Sequence, residues 1–111
     1  MASSREYLNF IMEQLPQNGQ VSFRPMMGEY IIYYRGRVVG GIYDDRFLVK
    51  ITDSAAALMP EAAAEIPYAG AREMLLVDSV DDRAFLGKLL EAVYCELPAP
   101  VKRNPKSDKS G

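Results

Sequence analysis

The residues that could carry out chemistry form a small set, because the chain of 111 residues contains no histidine and only one cysteine. Without an imidazole, Ser-His-Asp and Cys-His nucleophilic sites are excluded, and so are most zinc sites. Two carboxylate pairs remain, Asp44-Asp45 and Asp81-Asp82, and such pairs can serve acid–base chemistry or bind divalent cations. No further ligand cluster accompanies either pair. We therefore interpret them as turn and helix-cap residues, and we predict no catalytic residue, no metal site and no cofactor.

The single cysteine, Cys95, follows Glu91 by one helical turn. A neighbouring carboxylate raises the pKa of a thiol, which favours an inert surface cysteine over a nucleophile. One unpaired thiol is typical of a reducing compartment, and no apolar run reaches the ~20 residues of a membrane span. We therefore expect a cytoplasmic protein with no membrane segment.

A sheet is predicted over residues 21–51, a run rich in Tyr, Ile and Val that turn residues divide into candidate strands. These are 21–26, 29–35, 37–43 and 46–51. With two-residue turns at 35–36 and 44–45, directly opposed residues share a face. One face is then apolar and expected to meet the helices: Ile31, Tyr33, Val38, Gly40, Ile42, Phe47, Val49 and Ile51. The other holds Tyr30, Ile32, Tyr34, Arg37, Val39, Gly41, Tyr43, Arg46, Leu48 and Lys50. A single bulge would reverse part of this assignment.

The tyrosines and basic residues of the second face suggest a binding surface. The candidates are Tyr30, Tyr34, Arg37, Tyr43, Arg46 and Lys50. Tyr and Arg are enriched at the centres of protein interfaces, whereas aromatic sheet faces can also stack the bases of single-stranded nucleic acid. A third possibility is an ordinary half-exposed sheet face. Residues 1–100 hold nine Lys or Arg and fourteen Asp or Glu, a net charge of −5, which disfavours binding of nucleic acid, duplex DNA included, by the domain. A surface for a protein partner or a homodimer is therefore the leading interpretation of this face.

Helices should flank this sheet. Residues 3–15 carry an apolar stripe behind a capping box of Ser3 and Glu6. A short helix is expected at 54–59, a strand at 74–78 and a long amphipathic helix at 80–97. These elements predict one α+β domain over residues 1–97, in which an antiparallel sheet of about five strands packs on helices in two layers. Residues 98–111 are predicted to be a disordered basic tail.

Several ordered blocks of the sequence resemble the N-terminal domain of the TfoX/Sxy family. The blocks are Phe23 to Tyr30, Tyr33 to Arg37, Gly40 to Lys50, Pro67 to Ala71, Met74 to Asp78 and Val80 to Arg83. The resemblance is to the short, single-domain branch. It implies an α+β fold with an antiparallel sheet on helices. It also implies a link to natural competence, in which full-length members act as coactivators beside the cyclic-AMP receptor protein. It supplies no catalytic residue.

The sequence leaves three hypotheses about function. The leading one is a non-enzymatic regulatory or protein-interaction module, in which the tyrosine face binds a partner or a second copy. It predicts that Tyr34→Ala weakens that contact but leaves the fold intact. The alternative is a small-molecule-binding protein or enzyme with a pocket near Arg24, Met26, Gly28 and Gly41. Binding of single-stranded nucleic acid on the sheet face is the third, and it predicts a strong dependence on salt.

Overall fold

Three helices and six strands make up residues 3–97, the part of the chain that this computed structural model describes. They run in the order α1 (Arg5–Gln14), β1 (Val21–Met26), β2 (Glu29–Tyr34), β3 (Arg37–Ile42), β4 (Phe47–Val49), α2 (Asp53–Leu58), β5 (Ala64–Glu65), β6 (Met74–Leu76) and α3 (Arg83–Glu96). The predicted basic tail, residues 98–111, lies outside the described residues.

The strands form one antiparallel sheet in the order β1-β2-β3-β4-β6-β5. Its first four strands are joined by two-residue turns at 27–28, 35–36 and 44–45, and both residues of each turn have positive φ. Backbone of this kind matches the twist of the flanking strands and favours Gly, Asn or Asp. Gly28, Gly36 and the two aspartates fit this preference, whereas Met27 and Arg35 do not. The predicted hairpins are confirmed.

All three helices contribute to a core on one face of the sheet. Leu8 and Ile11 of α1, Ala55 of α2 and four residues of α3 pack there in one apolar cluster with Ile32, Ile42, Phe47 and Val49. The apolar stripe of α3 consists of Leu86, Leu89, Leu90 and Val93, each fully buried. The α+β class and the two-layer arrangement are therefore confirmed, with six strands where about five were predicted.

The predicted N-cap of α1 is wrong by one residue. Ser4, not Ser3, is the N-cap, and its Oγ accepts the N–H of Tyr7 at 3.0 Å. Ser3 instead donates its N–H and Oγ–H to Glu29 Oε1, at 3.0 and 2.6 Å. A charge-assisted hydrogen bond of this kind is about twice as strong as a neutral one. Ser3, which the capping-box pattern predicts as the N-cap, thus binds Glu29 instead, and Ser4 caps the helix.

The predicted faces of the sheet are wrong for β2 and for the first half of β3. Tyr34 pairs with Arg37 and Tyr33 with Val38, but Ile32 then pairs with Gly40, so Val39 is an extra residue. This β-bulge puts Val39 into the core and leaves Ile31, Tyr33 and Val38 on the face away from the helices. The register of β3 with β4 is as predicted, and Ile42, Phe47 and Val49 do face the core.

Candidate functional site

The six residues predicted to form one tyrosine-rich face do not share a face. Tyr34 is buried in the core at 4% exposure, and Tyr30 packs against the same cluster. Arg37 pairs with Tyr34 across the hairpin, and its guanidinium lies 5.1 Å from the ring centre of Tyr94 on α3. The remaining three lie elsewhere: Tyr43, Arg46 and Lys50. The common face is therefore a wrong prediction, and its physical cause is the bulge at Val39.

Tyr34 is held by contacts that stabilise the fold. Its Oη donates a hydrogen bond of 2.9 Å to Glu91 Oε1, and its ring meets that of Tyr94 edge-to-face at 5.6 Å. The guanidinium of Arg35 lies 5.2 Å from the centre of each ring. The hydrogen bond from Tyr34 lowers the pKa of Glu91, while burial raises the pKa of Tyr34. This cluster joins the β2–β3 hairpin to α3.

Arg46, another of the predicted interface residues, is committed to contacts within the domain. Its Nη1 forms an ion pair with Glu65 of β5, and its Nε donates to the carbonyl oxygen of Tyr43 at 3.0 Å. These contacts tie the β3–β4 turn to the far edge of the sheet. Arg46 thus positions the segment that follows β5 rather than forming an open binding surface.

A groove of about 730 Å³, called the outer groove here, lies over the outer face of the sheet and extends to the end of α3 at Glu96 and Leu97. Its floor includes Met26, Ile31 and Val38, all half-buried apolar residues. One wall is the segment 67–73 between β5 and β6, from which Tyr68 projects with 54% of its surface exposed. Lys50 lines the same groove. The bulge that overturns the predicted faces therefore also supplies the apolar floor.

Tyr43 shapes the outer groove by lying over Gly41. A Cβ atom at Gly41 would stand 2.5 Å from Cε2 of the Tyr43 ring, so the ring occupies the space that a side chain there would need. The ring also contacts Tyr68, with 5.9 Å between centres. Burial is the main cause that raises the pKa of Tyr43, and Tyr68 and Glu29 add to it. The glycine thus leaves room for the aromatic ring against the sheet.

The residues of the predicted small-molecule pocket are only partly brought together. Met26 lines the outer groove and Gly41 lies beneath Tyr43. Arg24 instead stacks over Tyr33, 5.9 Å from the ring centre, and Gly28 occupies the β1–β2 turn, where its carbonyl oxygen accepts the Ser3 N–H at 3.1 Å. The sequence reasoning missed Ile31, Val38 and Tyr68 as groove residues.

The carboxylate pairs hold local structure. Asp45 Oδ1 accepts the Ser4 N–H at 2.8 Å, and the backbone N–H of Asp45 donates to Ser3 Oγ at 3.0 Å. Asp82 is the N-cap of α3 and accepts the N–H of Phe85 at 3.0 Å. Within residues 3–97, no group of three or more Cys, Asp or Glu side chains is placed to hold a metal ion. Both pairs are thus explained by turns and caps.

Cys95 is exposed and lies beside a carboxylate. Its Sγ is 3.4 Å from Glu91 Oε2, and the hydrogen bond to Glu91 is the main cause that raises the pKa of the thiol. A raised pKa leaves less of the reactive thiolate at neutral pH. The environment of Cys95 therefore disfavours nucleophilic or redox chemistry.

We expect the free energy of unfolding to fall as the pH rises above about 10. Burial raises the pKa of Tyr34 and Tyr43 above the ordinary value of 10.0. At a pH below 10 both phenols are neutral in the folded and in the unfolded protein, so the free energy of unfolding does not change with their ionisation. At a higher pH the phenols ionise more readily in the unfolded chain, which lowers the free energy of unfolding. Urea unfolding at about pH 9 and about pH 11 measures the change, and Tyr34→Phe should lessen it. Equal stability at both pH values would contradict the prediction.

None of the described helices has the length and apolar run of a membrane-spanning helix.

Comparison with known proteins places the chain in a family. The TfoX N-terminal domain pattern matches residues 13–107. A protein of Spirochaeta aurantia, described as an uncharacterized 12.7 kDa protein in trpE 5'region, is 32% identical over an alignment of 112 positions, which covers all of this chain and 97% of that relative. No solved structure matches the chain. The resemblance inferred from the sequence blocks is thereby confirmed: the chain belongs to the TfoX N-terminal domain family.

Proposed function

We propose that this domain is a non-enzymatic regulatory module that binds a segment of a partner protein in the outer groove. The observation that carries the proposal is the asymmetry of the sheet. The three described helices pack on one face, and the groove over the other face, which extends to the end of α3, has an apolar floor and an aromatic wall. A concave apolar surface with a few polar groups at its rim is the usual form of a binding site.

The chemistry of the groove suits a protein segment. Tyr68 is more than half exposed, and Met26 and Met74 line the groove beside it. Tyr and Met are enriched at the centres of protein interfaces, because they offer a large contact area and Met adapts its shape. Lys50 and Arg72 are the basic residues of the lining, and Glu73 and Glu96 the acidic ones. We expect the partner segment to be apolar at its centre and to carry charges of both signs at its ends.

The environment of Glu96, one of the two groove carboxylates, supports a non-enzymatic role. Glu96 accepts hydrogen bonds from the N–H of Ser54 at 2.8 Å and from its Oγ at 2.7 Å. These bonds lower the pKa of Glu96, so the group is ionised near neutral pH and its oxygens are occupied. A general acid needs a pKa near the working pH. The regulatory part of the proposal rests on the family's link to competence, and the exposed thiol of Cys95 supports a cytoplasmic setting.

Substitution of Tyr68 tests the proposal. The tagged domain is used to capture proteins from an extract of its native cells, in the wild-type, Tyr68→Ala and Phe10→Ala forms. Phe10 is the matched control, because it is an exposed aromatic residue on α1, on the helix side of the sheet. We expect a partner that wild type and Phe10→Ala retain alike, and that Tyr68→Ala binds at least about tenfold more weakly with an unchanged melting temperature. Capture that does not depend on Tyr68 would contradict the proposal.

A small-molecule ligand is the second candidate for the same groove. Its volume of about 730 Å³ lies within the range of roughly 300–1,000 Å³ that such pockets span. Native mass spectrometry of the purified chain separates the two candidates. A bound species of low mass that is lost in Tyr68→Ala would favour the small molecule, and a groove free of such a species would favour the protein segment.

A further inference from the structure

We propose that strand β1 is a self-association edge, at which two copies of the domain join their sheets by antiparallel pairing of β1 with β1. Within the described residues, β1 is the first strand of the sheet and pairs with β2 alone. It does so over six consecutive residue pairs without a register shift. The opposite edge, β5, is only two residues long. Of the two edges, β1 therefore offers the longer regular template for another strand.

The backbone groups that face outward from β1 follow from its register. The N–H of Arg35 donates to the carbonyl oxygen of Gln20 at 2.8 Å, so Gln20 points towards β2. Because this direction alternates along an antiparallel strand, the odd-numbered residues Val21, Phe23 and Pro25 direct their backbone groups away from the sheet. Pro25 lacks an N–H. Because its backbone groups face outward, no hydrogen bond between β1 and β2 is lost. Val21 and Phe23 offer both donors and acceptors, and Pro25 offers an acceptor.

These groups are self-complementary when Phe23 lies opposite Phe23 of the second copy. Each Phe23 then donates its N–H to the carbonyl oxygen of the other. Each Val21 donates to the carbonyl oxygen of the second copy's Pro25. Because Pro25 has no N–H to return, the carbonyl oxygen of Val21 gains no hydrogen bond there, and the register forms four hydrogen bonds between the two copies. This register overlaps the strand from Val21 to Pro25, whereas a shift by one pair would place Pro25 opposite Gly19, a turn residue with φ of +81°. The same short strand thus supplies both halves of the contact, which favours a second copy as the occupant.

A groove beside β1 gives the second strand room. It has a volume of about 540 Å³ and lies between α1 and β1, with Met12 and Pro16 on one side and Val21 and Phe23 on the other. Side chains of an added strand that point towards the helical layer enter this space. On the outer face, the exposed Ser22 comes to lie opposite the exposed Arg24 of the second copy. Both copies carry the net negative charge of the domain and repel each other. We therefore expect a weak dimer whose affinity rises with salt concentration, because salt screens this repulsion.

Opposite charges at Ser22 test the pairing and its register. Because the two-fold arrangement places Ser22 against Arg24 twice, Ser22→Glu should tighten the dimer about three- to tenfold and Ser22→Lys should weaken it by a similar factor. Sedimentation of the full chain from about 10 μM to about 1 mM measures both effects. The side chain of Ser22 is exposed, so both variants should keep the wild-type melting temperature. A chain that stays monomeric throughout, or two variants that change the association in the same direction, would overturn the proposal.

Amide exchange gives a second, independent readout. Protection of the Val21 and Phe23 amides should rise with protein concentration, because within residues 3–97 these N–H groups face away from β2, and the dimer supplies their acceptors. Protection of the Ser22 and Arg24 amides should depend much less on concentration, because β2 already binds them in the monomer. A dimer in which the exchange of Val21 and Phe23 does not depend on concentration would place the contact elsewhere and refute the inference.

Discussion

We expect Gly40→Ala to lower the free energy of unfolding by about 3 kcal/mol or more, enough to unfold a marginally stable domain. Gly40 lies at the β-bulge, opposite Val49 of β4. A Cβ atom there would overlap the carbonyl oxygen of Leu48 and stand 2.9 Å from Cα of Val49. Both are backbone atoms, which cannot move away by a side-chain rotation. The overlap is removed only if β3 and β4 move apart. Urea unfolding followed by circular dichroism measures the loss.

Gly41→Ala is the matched control, one residue along the same strand. Its Cβ atom would approach Cε2, Cζ and Oη of Tyr43 at 2.5–2.7 Å, all of which are atoms at the far end of a side chain. Tyr43 can rotate away, so we expect a loss of about 1 kcal/mol or less, together with a changed outer groove. Equal losses for the two variants would show that the close approach of the β4 backbone is not what requires Gly40.

The elements and the hairpins of this fold are predictable because their signals are local. The turns at 35–36 and 44–45 are short and contain residues that accept positive φ. With the turn at 44–45 fixed, the pairs Gly41 with Leu48 and Ile42 with Phe47 follow by counting, and the structure has them. The stripe of α3 and the fold class follow from periodicity in the same way.

The bulge at Val39 has no such signal, because neighbouring residues of the hairpin are chemically alike. Ile31-Ile32, Tyr33-Tyr34 and Val38-Val39 each put the same side chain on both faces of the sheet. A shift of the faces therefore leaves the pattern of apolar and polar residues unchanged. Packing against the helices decides the outcome, as the contact of Tyr34 with Glu91 and the burial of Val39 show.

The outer groove was predictable only in part, because it joins distant segments of the chain. Met26 belongs to the pocket named from the sequence, but its neighbours in the groove include Tyr68 and Arg72 from the segment between β5 and β6. Nothing in the local pattern of that segment indicates which sheet face it covers. The contact between Tyr43 and Tyr68 and the ion pair of Arg46 with Glu65 fix its place. Both are tertiary contacts that spacing along the chain does not reveal.

Tyr34→Ala should lower the free energy of unfolding by about 3 kcal/mol or more, the opposite of the intact fold expected from the sequence. The side chain is 4% exposed and packs in the core with Leu89 and Leu90. Truncation removes the ring contact with Tyr94 and leaves a cavity, and both cost stability. It also removes the hydrogen bond to Glu91. Thermal and urea unfolding of the purified variant measure the loss.

Tyr33→Ala is the control that separates the two faces. Tyr33 is the adjacent residue of the same strand and the same type, but it lies on the outer face, half-buried, with Arg24 stacked over its ring. Removal of a half-exposed ring from an open face should cost about 1 kcal/mol or less, since little cavity forms. Tyr34→Phe, which keeps the ring, should cost about 1 kcal/mol for the lost hydrogen bond. A larger loss for Tyr33→Ala than for Tyr34→Ala would mean that β2 presents the other face to the helices, and the bulge at Val39 would then be wrong.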